Sequence, residues 1–533
     1  MPFLLLMLLV LTCRVEPGQW PEPHFLNPSA AEAFRTLPGP VDSAVALLQE
    51  QLKDQLAWAS TVLAWTTMSA AGLFAGFLSC WVSRSLRRHP ERRERILSRY
   101  GTLRFAHLLC LFAAYGVVLY GLGWGWAVHW LCLYDQVVLP GAELILLAPF
   151  LAALVFSWYC FYDAERSIRE TSHPYFISAR PVWSRGAYVL HHARQNLALV
   201  LVPIFLLVIL QGLHRHYRDL YETAAFQVLS FGLLILMFLC LPWTLRLVLG
   251  LRPMPAGELR DRLEAAGRRL NFRCTDILLW DTRLGVANAM VVGLLPWPRY
   301  VVFTDRLLLD LSADEVEAVF GHEVGHVKHH HMAYYLTFLF VSLGVLVGAF
   351  ELLAQQNTWL KGMLNIESGW STPLLVGSLV VYIFVFFGFL SRRCERQADI
   401  FGCKSVSCGQ PLCAGHDEAS KAKCGQGLCP TGIQTFIQAL EKVACLNGIS
   451  RNKPSWLQSW QHSTIGRRIE FLQHMQTDPS VEPRFQRRVT VVKWVMMVGL
   501  FALLGYLTWT LGSLPPAPPS AHPAPPVSPP VAG

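Results

Sequence analysis

Charge is scarce in this chain. Only 15% of its 533 residues are Asp, Glu, Lys or Arg, where a soluble globular domain carries about 25%. With 53% apolar residues and a mean hydropathy of +0.36, an ordinary soluble enzyme and a disordered chain are both excluded. Basic residues are also missing from particular places. Residues 128–143 contain no Lys or Arg, 214–223 contain two, and 351–371 contain only Lys361. Between these gaps the loop 84–104 carries eight arginines and 163–195 carries five. Arg392, Arg393, Arg487, Arg488 and Lys493 continue the alternation. By the positive-inside rule the arginine-rich loops face the cytoplasm. The formal charge of +9 therefore reads as topology, and no nucleic-acid partner is expected. Asp, Glu and Lys are nearly absent from the apolar runs, which argues against a transporter with a site at the bilayer midplane.

What is present is a series of apolar runs, each able to cross about 30 Å of hydrocarbon. They lie near 57–83, 105–127, 144–162, 196–213, 224–245, 332–350, 372–391 and 494–514. About eight spans give a mainly α, polytopic α-helical membrane protein. Its expected divisions are an N-terminal segment 1–56, a five-span region 57–250 and a polar segment 251–331. Two spans over 332–391, a second polar segment 392–487 and a last span in 488–514 follow. Residues 3–12 are apolar and resemble the core of a signal peptide, but no basic residue precedes them. A cleaved signal, a short anchor and a misplaced start remain open. The proline-dense end, 515–533, is expected to be extended and unpacked.

The chemistry is concentrated in His322-Glu323-Val324-Gly325-His326. On a helix, residues i and i+4 project from one face, so both imidazoles suit a single tetrahedral zinc ion. Glu323 is then placed to take a proton from a water activated by that metal. Ser312 and Glu315 form a capping-box pattern that starts the helix, with Asp314 and Glu315 complementing its positive end. Upstream, 256–271 reads as a helix, followed by three β-like runs at Asp276–Arg283, Asn288–Leu294 and Tyr300–Asp305.

Two histidines need a third ligand. Glu395, Glu418, Glu441 and Glu470 lie on the same side of the membrane as the motif, whereas Glu351 and Glu367 lie on the other. Glu395 is preferred because a helix through 394–399 would align it with Asp399. Asp399 could then accept the second ring N–H of a zinc-bound histidine.

The ordered set Asn288-Ala289-Met290, Val302-Phe303-Thr304-Asp305, Asp314-Glu315, His322 to His326, Glu395 to Asp399, and His462 with Arg468-Ile469 resembles a known family. It is similar to the integral-membrane zinc metallopeptidases that include bacterial HtpX and the eukaryotic CAAX prenyl endopeptidase, over roughly 250–475. The resemblance implies a cytoplasm-facing, gluzincin-type α+β zinc-protease domain with His322, His326 and Glu395 as zinc ligands and Glu323 as the catalytic residue. It also implies that Asn288 holds substrate backbone and that His462 or Arg468 steadies the oxyanion or the substrate chain. Ser463 stands where the family usually has proline. The expected partners are a polypeptide substrate, such as a membrane or misfolded protein, and the bilayer itself. A silent membrane scaffold that keeps the metal for stability is the rival reading, but it has no use for Glu323.

Of 14 cysteines, Cys408, Cys413, Cys424 and Cys429 follow the symmetric pattern C-x4-C-x10-C-x4-C inside a Gly, Lys and Ser-rich insertion, 403–429. On the cytoplasmic side a disulfide is disfavoured and a second, structural zinc is a candidate, with His416 an alternative ligand. The spacing is wider than the usual C-x2-C. His329-His330-His331 reads as a solvated or interfacial cluster.

Overall fold

The structure, a computed structural model, describes residues 43–134, 141–170, 184–196, 223–283, 285–356, 381–408, 428–447 and 463–512, plus 137–138, 209–210, 213, 378, 413, 449 and 451. The membrane part begins with α1 (Ser43–Arg88) and α2 (Arg93–Gly116). A π-turn at Val117–Gly121 and a left-handed Gly123 (φ 69°) then redirect the chain into the short α3 (Trp124–Leu131). The apolar run expected as one span over 105–127 is therefore bent near its end. A two-residue hairpin, β1 (Leu133–Tyr134) and β2 (Val137–Val138), leads to α4 (Ala142–Glu170).

Packing between α1 and its neighbours shows a membrane solvent. Ala57, Ser60, Ala64, Ala75 and Ser79 are buried, while Trp58, Leu73 and Phe77 on the same helix are more than 60% exposed. Small residues let backbones approach, and large apolar ones face lipid. Two of the buried polar groups are paired: Ser79 Oγ accepts from Ala164 N at 3.0 Å, and the Tyr115 hydroxyl donates to Leu146 O at 2.9 Å.

α5 (Ala224–Val248) follows, with Pro242 inside it. Among the described residues four helices are long and apolar enough to cross a membrane: Glu50–Arg88, Arg95–Gly121, Ala142–Ile168 and Val481–Thr510. A fifth is added if Val228–Met237 and Leu239–Val248, inclined by 45°, form one span. The expected span 332–350 lies inside a helix that starts at His331, whereas most of 196–213 and residues 372–377 and 379–380 of the expected span 372–391 lie outside the described residues.

The polar part starts with β3 (Arg252–Pro253) and α6 (Glu258–Arg269). β4 (Asp276–Trp280), β5 (Ala289–Val292) and β6 (Tyr300–Thr304) complete a sheet of order β3-β4-β6-β5. β6 is parallel to β4 and antiparallel to β5, which leaves β5 on the edge. Every residue of β6 is buried, as a central strand requires. α7 (Asp305–Asp310) and α8 (Ala313–Lys328) follow, and Ser312 and Glu315 close a reciprocal capping box at the start of α8. Leu263 and Ala266 of α6, Ile277, Val301 and Phe303 of the sheet, and Val316, Phe320 and Val324 of α8 form one apolar cluster.

α9 (His331–Gln356) comes next, and a π-turn at Ile383–Phe387 precedes α10 (Gly388–Ser405). α11 (Pro430–Leu446), α12 (Ile465–Thr477) and α13 (Val481–Gly512) end the described fold. α8 and α10 meet with almost no gap. A Cβ on Gly325 would sit 2.8 Å from Phe401 Cβ and 3.1 Å from Ala398 Cα. Only glycine lets the backbones come this close, and that approach brings the two halves of the site together.

Candidate active site

His322 and His326 stand one above the other on α8, with ring centroids 4.9 Å apart. Their Nε2 atoms are 3.2 Å apart. From α10, Glu395 Oε2 lies 3.8 Å from His322 Nε2, and Oε1 lies 3.6 Å from His326 Nε2. A tetrahedron with ligands about 2.0–2.1 Å from a zinc ion has edges of about 3.3–3.4 Å. The nitrogen and oxygen donors, all within 4.8 Å of one another, thus have the spacing and the chemistry to hold such an ion. Glu418 lies outside the described residues, and Glu441 is engaged elsewhere, in an ion pair with Arg451.

The other ring nitrogens face fixed partners. Asp399 is fully buried, and its Oδ1 lies 3.0 Å from His322 Nδ1, a short contact that is off the line of the ring N–H. Arg468 of α12 donates from Nε to Asp399 Oδ2 at 2.9 Å and from Nη2 to Oδ1. Burial alone would push the Asp399 carboxyl up. The Arg468 charge, the close His322 ring and the bonds from Arg468 outweigh it and hold the carboxyl below its usual range. Burial also opposes a charge on His322, but Asp399, Glu395 and Glu323 together raise its pKa.

The resemblance implied that His462 or Arg468 steadies the oxyanion or the substrate chain. In the structure two Arg468 nitrogens are committed to Asp399, and Nη1 lies 3.8 Å from Glu395 Oε2. Its charge thus offsets the Asp399 and Glu395 carboxylates.

On the His326 side the structure corrects the reading of the histidine run. His330 takes a left-handed conformation (φ 54°), so the chain folds back and buries His331 completely. His331 Nδ1 lies 2.9 Å from His326 Nδ1, and its Nε2 lies 3.2 Å from Gln397 Oε1. If His326 keeps Nε2 for a metal, its Nδ1–H donates to His331 Nδ1. His331 then holds its proton on Nε2 and donates to Gln397. Lys493 of α13 donates to the same Gln397 oxygen at 2.8 Å. No motif in the sequence marks His331, because its role depends on that reversal.

Glu323 reaches toward the sheet edge and accepts the Val291 N–H on Oε2 at 3.1 Å. Antiparallel pairing alternates, so the main-chain groups of Ala289 and Val291 face outward while those of Met290 and Val292 face β6. Asn288 is exposed just before β5, its main chain fixed by Thr304 through bonds of 2.9 and 3.0 Å. Asn447, which the sequence did not single out, clamps Ala287 from both sides at 3.0 and 2.7 Å. Phe436 of α11 stacks on the His322 ring at 5.7 Å. His462 and Cys424 lie outside the described residues, whereas Cys408, Cys413 and Cys429 come together away from His322, at the junction of α10 and α11.

Residues 253–487 match the Peptidase family M48. Over 164 residues the chain is 27% identical to the CAAX prenyl protease 1 homolog of Arabidopsis thaliana, covering 28% of this chain and 38% of that protein. It is 30% identical over 159 residues to the Dictyostelium discoideum homolog, covering 27% and 36%. It is also 30% identical over 125 residues to the Protease HtpX homolog of Methanocaldococcus jannaschii, covering 22% and 42%. The matched stretch therefore spans well under two thirds of each of these relatives. The crystal structure of S. mikatae Ste24p shares the fold at 15% identity, with a TM-score of 0.51 over 78% of this chain and 99% of that one. The chain is thus a polytopic α-helical membrane protein that carries a Peptidase family M48 domain over residues 253–487.

Proposed function

We propose that this protein is a zinc-dependent metalloendopeptidase that hydrolyses peptide bonds of membrane or misfolded proteins at the cytoplasmic face. The observation that carries the reading is the convergence of His322, His326 and Glu395 on one point, with Glu323 near enough to act on the His322 charge. Zinc bound there supplies Lewis acidity, which polarises a carbonyl and acidifies water.

The chain's own groups do the rest. His322 and His326 present Nε2 to the ion, oriented from behind by Asp399 and His331. Glu323 takes the proton of the attacking water on its carboxylate and passes it to the departing amine nitrogen. An extended substrate adds as a strand along β5, pairing with the outward groups of Ala289 and the outward carbonyl of Val291, whose N–H is held by Glu323, and bringing its scissile bond beside Glu323. Main-chain pairing reads conformation more than side chains, which suits unfolded segments. Asn288, at the start of that edge, is placed to hold substrate backbone. The arginine-rich loops give the cytoplasmic orientation.

The test purifies wild type and Glu323→Gln in detergent and measures zinc content together with cleavage of casein and of a membrane-protein substrate. Both proteins should bind catalytic zinc, and the variant should lose about 10²–10⁴-fold in rate. Equal cleavage by the two proteins would remove Glu323 from its role.

A further inference from the structure

Where α10 ends and α11 begins, a second group of donors meets. Cys408 follows α10, Cys429 is the N-cap of α11, and Cys413 comes between them in the chain. Their three sulfurs lie within 4.8 Å of one another. Sulfurs bound at about 2.3 Å to a tetrahedral zinc are about 3.8 Å apart, so three such atoms form one face of the tetrahedron. No disulfide joins these cysteines among the described residues.

Polar groups surround the sulfurs. Gly432 N–H donates to Cys429 Sγ at 3.3 Å, and the Thr431 hydroxyl lies 3.6 Å from Cys413 Sγ. Gly432 and Thr431 both sit in the first turn of α11, with Cys429 at its N-cap, and the Thr431 hydroxyl also lies 3.1 Å from Cys413 O. The corner is closely built. A Cβ on Gly432 would fall 2.1 Å from Ser407 Oγ and 2.9 Å from Cys403 O. Ser407 Oγ accepts from Cys429 N at 3.3 Å and donates to Cys403 O at 2.7 Å, pinning Cys429 to the end of α10.

We infer that Cys408, Cys413 and Cys429 bind a second, structural zinc ion that locks the α10–α11 corner. That corner matters because α10 carries Glu395 and Asp399, while α11 carries Phe436 against His322 and Lys442, which donates to Glu315 at 2.8 Å. Cys424, the remaining cysteine of the pattern, lies outside the described residues. The inference does not rest on peptidase activity.

The experiment uses the full chain in detergent, purified without chelator. Zinc is counted by mass spectrometry, then titrated with a mercurial thiol reagent in the presence of a zinc indicator. Wild type should hold two zinc ions, of which the mercurial releases one. His322→Ala/His326→Ala should keep the mercurial-releasable ion, and Cys408→Ser/Cys429→Ser should lack it. Cobalt-loaded wild type should show thiolate-to-cobalt charge-transfer absorption. If the cysteine variant does not fold, the wild-type titration and cobalt spectrum decide alone. No mercurial-released zinc together with no charge-transfer band would overturn the inference. A histidine variant that loses no zinc would instead count against the catalytic site.

Discussion

Replacing Asp399 separates metal positioning from simple stability. Asp399 has no exposed side-chain surface, and Arg468 is only 8% exposed. Asp399→Asn keeps the shape but strands the guanidinium, and breaking a buried pair in this way costs about 3–5 kcal/mol. It also weakens the hold on His322 Nδ1, and loss of such a partner lowers metal affinity about 10–100-fold. That corresponds to about 1.4–2.7 kcal/mol of binding. Adding Arg468→Met removes the stranded charge, so stability should recover by most of the loss. Zinc affinity should not recover, because His322 still lacks its anion. Chelator competition gives the affinity, and thermal unfolding of the apo protein in detergent gives the stability. Unchanged affinity in Asp399→Asn, or affinity that returns along with stability in the double variant, would show that Asp399 serves only to hold Arg468. The pH dependence has a definite sign. The Asp399 carboxyl is lowered in the fold, so its contribution is present above the unfolded value of about 3.9 and is lost as pH falls through the lower folded one. Arg468→Met should move that acid limb upward.

His331→Ala should weaken zinc binding about 10–100-fold without touching a ligand, read by the same competition assay, because His326 loses the partner that fixes its ring. Gly325→Ala should force α8 from α10, costing about 1–3 kcal/mol in unfolding experiments and lowering zinc affinity, since a Cβ meets Phe401 and Ala398. A variant that keeps wild-type stability and affinity would mean the helices can separate freely.

Local periodicity made a good part of this protein readable. The i, i+4 spacing put His322 and His326 on one face, Ser312 and Glu315 marked where that helix begins, and the β-like runs fell on β4, β5 and β6. Apolar runs outlined membrane helices, although Gly123 bends one of them in a way that hydropathy does not register. These features depend on residues a few positions apart, which any reader of the sequence can compare. The sequence preferred Glu395 among four carboxylates, but the close approach of α8 to α10 at Gly325, which brings it to the two histidines, was outside the sequence's reach. The partnership of Arg468 with Asp399, the return of His331 to His326, and the hold of Val291 on Glu323 were likewise outside the sequence's reach. Each joins groups from separate elements or across a chain reversal, and packing rather than periodicity decides which of them meet. Motif spacing determined the chemistry on offer; the closure of helices on one another decided which side chains take part.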